Sequence, residues 1–315
     1  MDLFPPEICL QIFSEACMRD DGQTGRSLSL VSRSVNELSR EFKLQSVAVE
    51  GLLQILTFSK LLENTPERFR RVRHLFISSM PQMEQPEASS KATPMPINQQ
   101  VGEERHYDGV CEAFHQILSL TAPTLKTFYL VSSIPRTTSL LPVSLPQLVE
   151  LTIHGPFPAF TYGESKVARF HALKRIRFIG FTDYPVDLFQ DIAEQAPSTT
   201  HLSFFVAQPS RHLHHDLASA LSIPRQRTLL TQDFVSPGIL PATIQHVYVQ
   251  PGSKPSSLLT PSQGKWFGTI QSMAMKGIST LAKRDSRLAC IPPGDEFLYS
   301  EAKSRWLSGH TLDVK

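Results

Sequence analysis

Cysteine is scarce and unpatterned in this chain. Cys9, Cys17, Cys111 and Cys290 are the only four in 315 residues, and none forms a CxxC pair. That spacing excludes a dense disulfide framework and a structural zinc site, and it fits a reducing compartment. An excess of one charge is also lacking. Lysine and arginine number 31 against 29 acids, a net of +2, so electrostatics give no case for wrapping on nucleic acid or lying on an acidic membrane. No stretch approaches the roughly 18 uninterrupted apolar residues of a membrane helix. The opening Met1-Asp2-Leu3-Phe4-Pro5-Pro6-Glu7 is acidic where a secretion signal would be basic. The expectation is a soluble protein of the cytoplasm or nucleus, with neither nucleic acid nor membrane as partner.

Signatures of catalysis are missing too. There is no GxxxxGK[ST], no GxGxxG after a strand, no GxSxG and no HExxH, so the usual phosphate cradles, nucleophile elbows and zinc helices are not indicated. Arg211-His212-Leu213-His214-His215-Asp216 is the most metal-like stretch. On a helix His212 and His215 share a face that His214 does not, and a polar helix face is the better reading. The run Arg68, Arg70, Arg71, Arg73 stands beside Glu63 and Glu67 and reads as a surface face. No enzyme, no cofactor and no metal are expected.

What is present is a globular composition, 41% apolar, able to bury a core. Proline is high at 24 residues, above the usual ~5% of a chain, which favours many short elements over a few long helices. The first forty residues predict two helices. In the first, opened by Pro5-Pro6-Glu7, the residues Ile8, Cys9, Leu10, Ile12, Phe13, Ala16 and Cys17 fill an arc of roughly 200°, wider than one core requires. Its edge, Leu10, therefore calls for a second surface to cover. After a turn at 20–25, a second helix carries Leu28, Val31, Val35, Leu38 and Phe42 at helical spacing, and Leu30 falls off that stripe.

From residue 70 a short pattern recurs, apolar-x-x-apolar-x-apolar. It runs through Val72-Leu75-Ile77, Leu125-Phe128-Leu130, Leu148-Leu151-Ile153, Leu173-Ile176-Phe178 and Ile244-Val247-Val249, with weaker copies at Thr199-Leu202-Phe204 and Leu288–Ile291. Phe128, Leu151, Ile176 and Leu202 lie 23, 25 and 26 apart, the period of a stacked strand–helix solenoid. The longer gap after Leu75 returns to this period if 79–106, rich in Pro, Gln, Ser and Glu, is a disordered insertion. The gap from Leu202 to Val247 fits either two repeats or one with an insertion. Helical stripes precede Leu125 (Val110, Ala113, Phe114, Ile117, Leu118), Leu202 (Leu188, Phe189, Ile192, Ala193, Ala196) and Leu288 (Trp266, Ile270, Met273, Ala274, Gly277, Ile278, Leu281). Glu301 through Trp306 predicts a helix capping the open end of the last repeat.

Phe4-Pro5-Pro6-Glu7-Ile8-x-x-x-Ile12-Phe13 followed by Leu28-x-Leu30-Val31-Ser32-Arg33 resembles the F-box, a helical module that docks on the Skp-type adaptor of cullin-RING (SCF) ubiquitin ligases. A leucine-rich-repeat-like domain downstream is a common layout in that family. The resemblance implies an α/β chain: an F-box-like module over 1–45, then an irregular leucine-rich-repeat-like strand–helix solenoid with a parallel sheet over 46–310. The implied function is that of a non-catalytic substrate-recognition subunit, reaching a cullin through the adaptor and holding an unknown protein target on the repeats. The alternative is a repeat scaffold outside any ligase, with the first helices packed against the repeats.

Carried over by residue, the resemblance assigns the adaptor surface to Phe4, Pro5, Pro6, Ile8, Ile12, Phe13, Leu30 and Val31. The wide apolar arc adds Leu10. The chain departs from the family at Phe4, where leucine is preferred, and at Ser34-Val35, where many members carry an aromatic. The ladder positions Met80, Ser133, Pro156, Phe181, Ala207 and Gly252 hold neither Asn nor Cys. For the target, strand alternation turns two columns outward. His74, Phe76, Tyr129, Arg175, Arg177, His201, His246 and Tyr248 are the candidates among them, being residue types common in binding hot spots; a merely solvated sheet face is the competing account.

Overall fold

The structure, a computed structural model, describes residues 5–18, 20–80, 100–132, 141–155, 169–181, 184–206, 212–223, 238–250, 261–292 and 298–308. It is mixed α/β, with parallel strands alternating with helices. Two compact units divide the chain, one of Met1–Val131 with Leu298–Lys315 and the other of Ser132–Phe297.

The first unit opens with α1 (Pro6–Ala16), α2 (Gln23–Val31) and α3 (Arg33–Ser39), then runs β1 (Ser46–Glu50), α4 (Leu52–Asn64), β2 (His74–Ser78), α5 (Gln100–Thr121) and β3 (Thr127–Val131). The second holds β4 (Glu150–His154), β5 (Arg175–Phe181), α6 (Leu188–Gln195), β6 (His201–Val206), α7 (Leu213–Ala220), β7 (His246–Gln250), α8 (Pro261–Ala282) and β8 (Leu288–Cys290). A last short helix, α9 (Ala302–Leu307), belongs to the first unit. Strands β1-β2-β3 lie side by side in sequence order, and so do β4 through β8.

Alternation sorts each strand as its pattern predicts. Leu75, Ile77, Phe128, Leu151, Ile176, Phe178, Leu202 and Phe204 are buried on the face that meets the helices. There Phe114 of α5 packs on Phe128 and Phe189 of α6 on Phe204, with ring centroids 6.0 Å apart in both pairs. A Gly180 φ of 71° accommodates the bulge between Ile179 and Phe181, a conformation glycine adopts without a Cβ penalty.

The strand entries are locked by one repeated device. The carbonyl just before or at the start of a strand accepts two consecutive N–H groups from the next strand: Gln45 from Arg73 and His74, Arg73 from Lys126 and Thr127, Val149 from Lys174 and Arg175, Lys174 from Thr200 and His201, Thr200 from Gln245 and His246. Threonine hydroxyls reinforce these corners, Thr124 donating to the Val72 carbonyl at 2.9 Å and Thr243 to that of Thr199 at 2.8 Å. Of the ladder positions, Ser133, Pro156, Ala207 and Gly252 lie outside the described residues.

Several expectations change. The second helix breaks in two at Ser32, which is extended (φ −164°, ψ 165°) and whose hydroxyl accepts the Val35 N–H at 3.2 Å. A serine that caps a new helix competes with continuing the old one, and the break turns Val31 out of the stripe. Helix α5 starts at Gln100, inside the segment 79–106 read as an insertion; of that segment 81–99 lies outside the described residues. Strand β6 pairs directly with β7, so one repeat with an insertion spans Leu202 to Val247. On α8, Ile270, Ile278 and Leu281 are buried while Trp266 and Met273 are exposed. Strand β1 and helix α4 carry a further repeat before residue 70. No helix among the described residues is long and apolar enough to cross a membrane.

Candidate protein-interaction surfaces

The N-terminal helices divide their apolar residues between a core and an open face. Cys9 and Phe13 of α1 and Val35 of α3 are buried together, with Leu28, Leu38 and Phe42 packed against them. Left outside are Ile8 at 42% exposure, Ile12 at 55%, Val31 at 63% and Leu30 at 86%, while Pro5 and Pro6 are also exposed and Leu10 is half-buried. Phe13 is therefore corrected from a surface residue to a core one: its position on α1 points it at Val35. Phe4 lies outside the described residues.

The turn between α1 and α2 is set by Asp20 and Asp21. Asp20 accepts the Gly22 N–H at 3.0 Å and the Thr24 N–H, and Gly22, at φ 99°, precedes the helix. Gly25 lets α2 approach the backbone of Lys43: a Cβ there would fall 2.6 Å from the Lys43 carbonyl oxygen. Burial, with the Asp20 charge, pushes the Cys17 thiol up to about 11, which leaves it protonated and inert.

In the first unit the outward strand face is not open. Phe76 and Tyr129 are buried, their rings 5.4 Å apart, and the Trp306 ring of α9 lies 5.5 Å from Phe76. Both residues are corrected from an exposed target surface to a buried one; for Phe76 the reason is that α9 packs on this face and not on the last repeat as expected. His74 is partly buried with Nδ1 2.8 Å from the Thr127 hydroxyl. Burial, then the nearby Arg73 and Lys126 charges, hold its imidazole below the ordinary histidine value.

In the second unit one row remains accessible. Glu150, Arg175, His201 and His246 are cross-strand neighbours in register. Arg175 pairs with Glu150 at 2.7 Å, and the His201 and His246 rings are 5.0 Å apart. In the next row Arg177 and Tyr248 are half-exposed, alternating with the buried Thr152 and Ser203. Beyond it His154, Ile179 and Phe205 are buried. The usable face is thus the entry side of the strands.

Four residues escaped the sequence reading. Lys303 of α9 puts its ammonium 2.8 Å from Asp21 Oδ2 and 2.7 Å from Glu50 Oε1, and Trp306 follows one turn on. Burial alone would raise the Asp21 carboxyl, but the Lys303 ammonium and the Gln23 hydrogen bonds hold it below its ordinary value. Burial likewise opposes the Lys303 charge, and the two carboxylates outweigh it and raise the ammonium. The only signal was a helical stretch bearing Lys303 and Trp306; nothing local says which surface it reaches.

The basic run is committed to its own neighbourhood. Arg71 pairs with Glu41 at 2.8 Å, Arg70 donates to the Thr65 and Glu63 carbonyls, and Arg68 lies over the Phe69 ring. His214 of α7 packs where a Cβ on Gly277 of α8 would stand, so this part of the histidine stretch is a helix contact and not only a polar face. No cluster of three or more metal-ligating side chains occurs among the described residues. Family models, curated proteins and solved structures give no match to this chain.

Proposed function

We propose that this chain is a non-catalytic substrate-recognition subunit of an SCF-type cullin-RING ubiquitin ligase. In this reading α1–α3 are an F-box-like module that docks on a Skp-type adaptor, and the strand–helix units are leucine-rich-repeat-like and hold a protein target. The protein would act in the cytoplasm or nucleus, with the chemistry in other subunits. One observation carries the reading: a helical module with its own core at Cys9, Phe13 and Val35 leaves Ile8, Ile12, Leu30 and Val31 exposed. Several large apolar residues left exposed on so small a module call for a partner. The entry row of the second unit, with Arg175, His201 and His246, and the next row, with Arg177 and Tyr248, supply the side-chain types for the target contact.

The test is a pull-down of the full chain against a purified Skp-type adaptor. Ile12→Asp and Leu30→Asp are expected to abolish capture while leaving the circular dichroism and melting of the chain unchanged. Capture retained by both variants, or absent from the unmodified chain, overturns the proposal. A second reading, an interaction scaffold outside any ligase, is favoured by Val35, a small core residue where the F-box family commonly carries an aromatic. It expects no adaptor binding and an intact target face.

A further inference from the structure

We propose that the outward face of β1–β3 is a helix-docking site, occupied in this structure by the chain's own α9, and that it fits an amphipathic helix carrying a cation three residues before an aromatic. The inference stands whether or not the N-terminal module binds an adaptor.

The floor of the site is one row of the parallel strands. Ala48, Phe76 and Tyr129 are in register, and all three are buried. They alternate with Leu75, Ile77 and Phe128, which serve the opposite, helix-bearing face. A β2 residue such as Phe76 is thus covered from a second side, and Trp306, 5.5 Å from its ring centroid, stands on that side. The rim is acidic. Asp21, from the turn before α2, and Glu50, at the end of β1, converge on the single ammonium of Lys303. Removing that cation takes from both carboxylates the ammonium they share.

The occupant is matched to this surface and to little else. Ala302 is fully buried, and Lys303 and Trp306 are partly buried, while Ser304, Leu307 and Ser308 are exposed. One side of α9 therefore meets the strands and the other meets solvent. At six residues the helix is far below the ~12–15 needed for stability in water, so its helical form depends on the surface beneath it. Helix and site are coupled, and a partner helix with the same cation and aromatic spacing competes for the same floor and rim. Because α9 belongs to the same chain, it competes for the site intramolecularly. The resident helix thus holds the site closed against weak partners and yields to strong ones.

The experiment frees the site in the full chain and offers it the helix in trans. Lys303→Glu with Trp306→Ala repels α9 from the acidic rim and removes its anchor. A fluorescein-labelled peptide of residues 298–308, LYSEAKSRWLS, is then titrated by fluorescence anisotropy. Uptake by the double variant is expected to exceed that by the unmodified chain by roughly tenfold or more, given the tethered competitor in the latter. A peptide carrying the same two substitutions is expected not to bind. If the double variant fails to melt cooperatively, the milder Lys303→Gln chain carries the same titration. A cooperatively folded variant that takes up no more peptide than the unmodified chain overturns the proposal, as does equal uptake of the substituted peptide.

Discussion

The ring of Trp306 sits 5.5 Å from that of Phe76, bringing the end of the described chain onto its second strand. With Lys303 between Asp21 and Glu50, this contact ties the N-terminal turn, β1 and β2 to one short helix. The stability of the first unit therefore depends on residues more than two hundred positions away from Asp21, Glu50 and Phe76.

The ion cluster gives a pH dependence whose sign follows from its two shifted groups. The Asp21 carboxyl is held below its ordinary 3.8, so its contribution is present above 3.8 and is lost as pH falls through the lower folded value. The Lys303 ammonium is held above its ordinary 10.5, so its contribution is full below 10.5 and is lost as pH rises through the higher folded value. Melting temperature measured against pH is expected to show an acid-side loss that Asp21→Asn removes. At neutral pH that substitution is expected to cost about 2 kcal/mol, the scale of a hydrogen bond to a charged group.

Gly25→Ala separates packing from helix propensity. In an open helix the change stabilises by about 1 kcal/mol. Here the new methyl falls 2.6 Å from the Lys43 carbonyl oxygen and 2.8 Å from its Cα, backbone atoms that cannot swing away. A net destabilisation of about 1–3 kcal/mol is expected, read from the denaturant midpoint. A stabilised variant contradicts the close approach of α2 to Lys43.

Phe13 and Leu30, both placed on the adaptor surface by their sequence positions, are expected to part company in stability measurements. Phe13→Ala opens the cluster with Cys9 and Val35 and should cost about 3–5 kcal/mol. Leu30→Ala, at a residue 86% exposed, should stay within about 0.5 kcal/mol. Urea titration of the two variants decides it.

Arg175→Ala should leave stability almost untouched, within about 0–1 kcal/mol, because its pair with Glu150 is half-exposed. Any loss of target binding in this variant then reports on recognition and not on folding. Thermal melts run beside the binding assay make the distinction.

Much of the strand framework was legible. A period-two apolar pattern opened by an anchoring residue located β2 through β7, since inward residues such as Leu151 and Ile176 have no alternative to burial. The first strand carries the same spacing in Leu44-Val47-Val49 and escaped because it follows directly on the Leu28–Phe42 helical stripe; Gln45 and the Asp20–Asp21 turn help to secure it. The Ser32 break was hidden by a stripe, Leu28 to Phe42, that keeps helical spacing across it. Capping chemistry overrode the period there. On the candidate surfaces, local pattern identified Ile12 and Leu30 as apolar residues on the N-terminal helices but could not tell Phe13 from them. It failed wholly for Phe76, against which the distant Trp306 packs, and for Tyr129, buried beside Phe76.

The paired N–H groups that five strand entries hand to the preceding carbonyl also bear on how such a chain tolerates change over time. Alignment of these neighbouring strands is fixed at their first residues, so connections leaving their far ends can lengthen without sliding any strand. Doubling a flexible connection costs only about 0.6 kcal/mol in closure entropy. Insertions are thus free to accumulate and diversify around a frame whose spacing they do not touch.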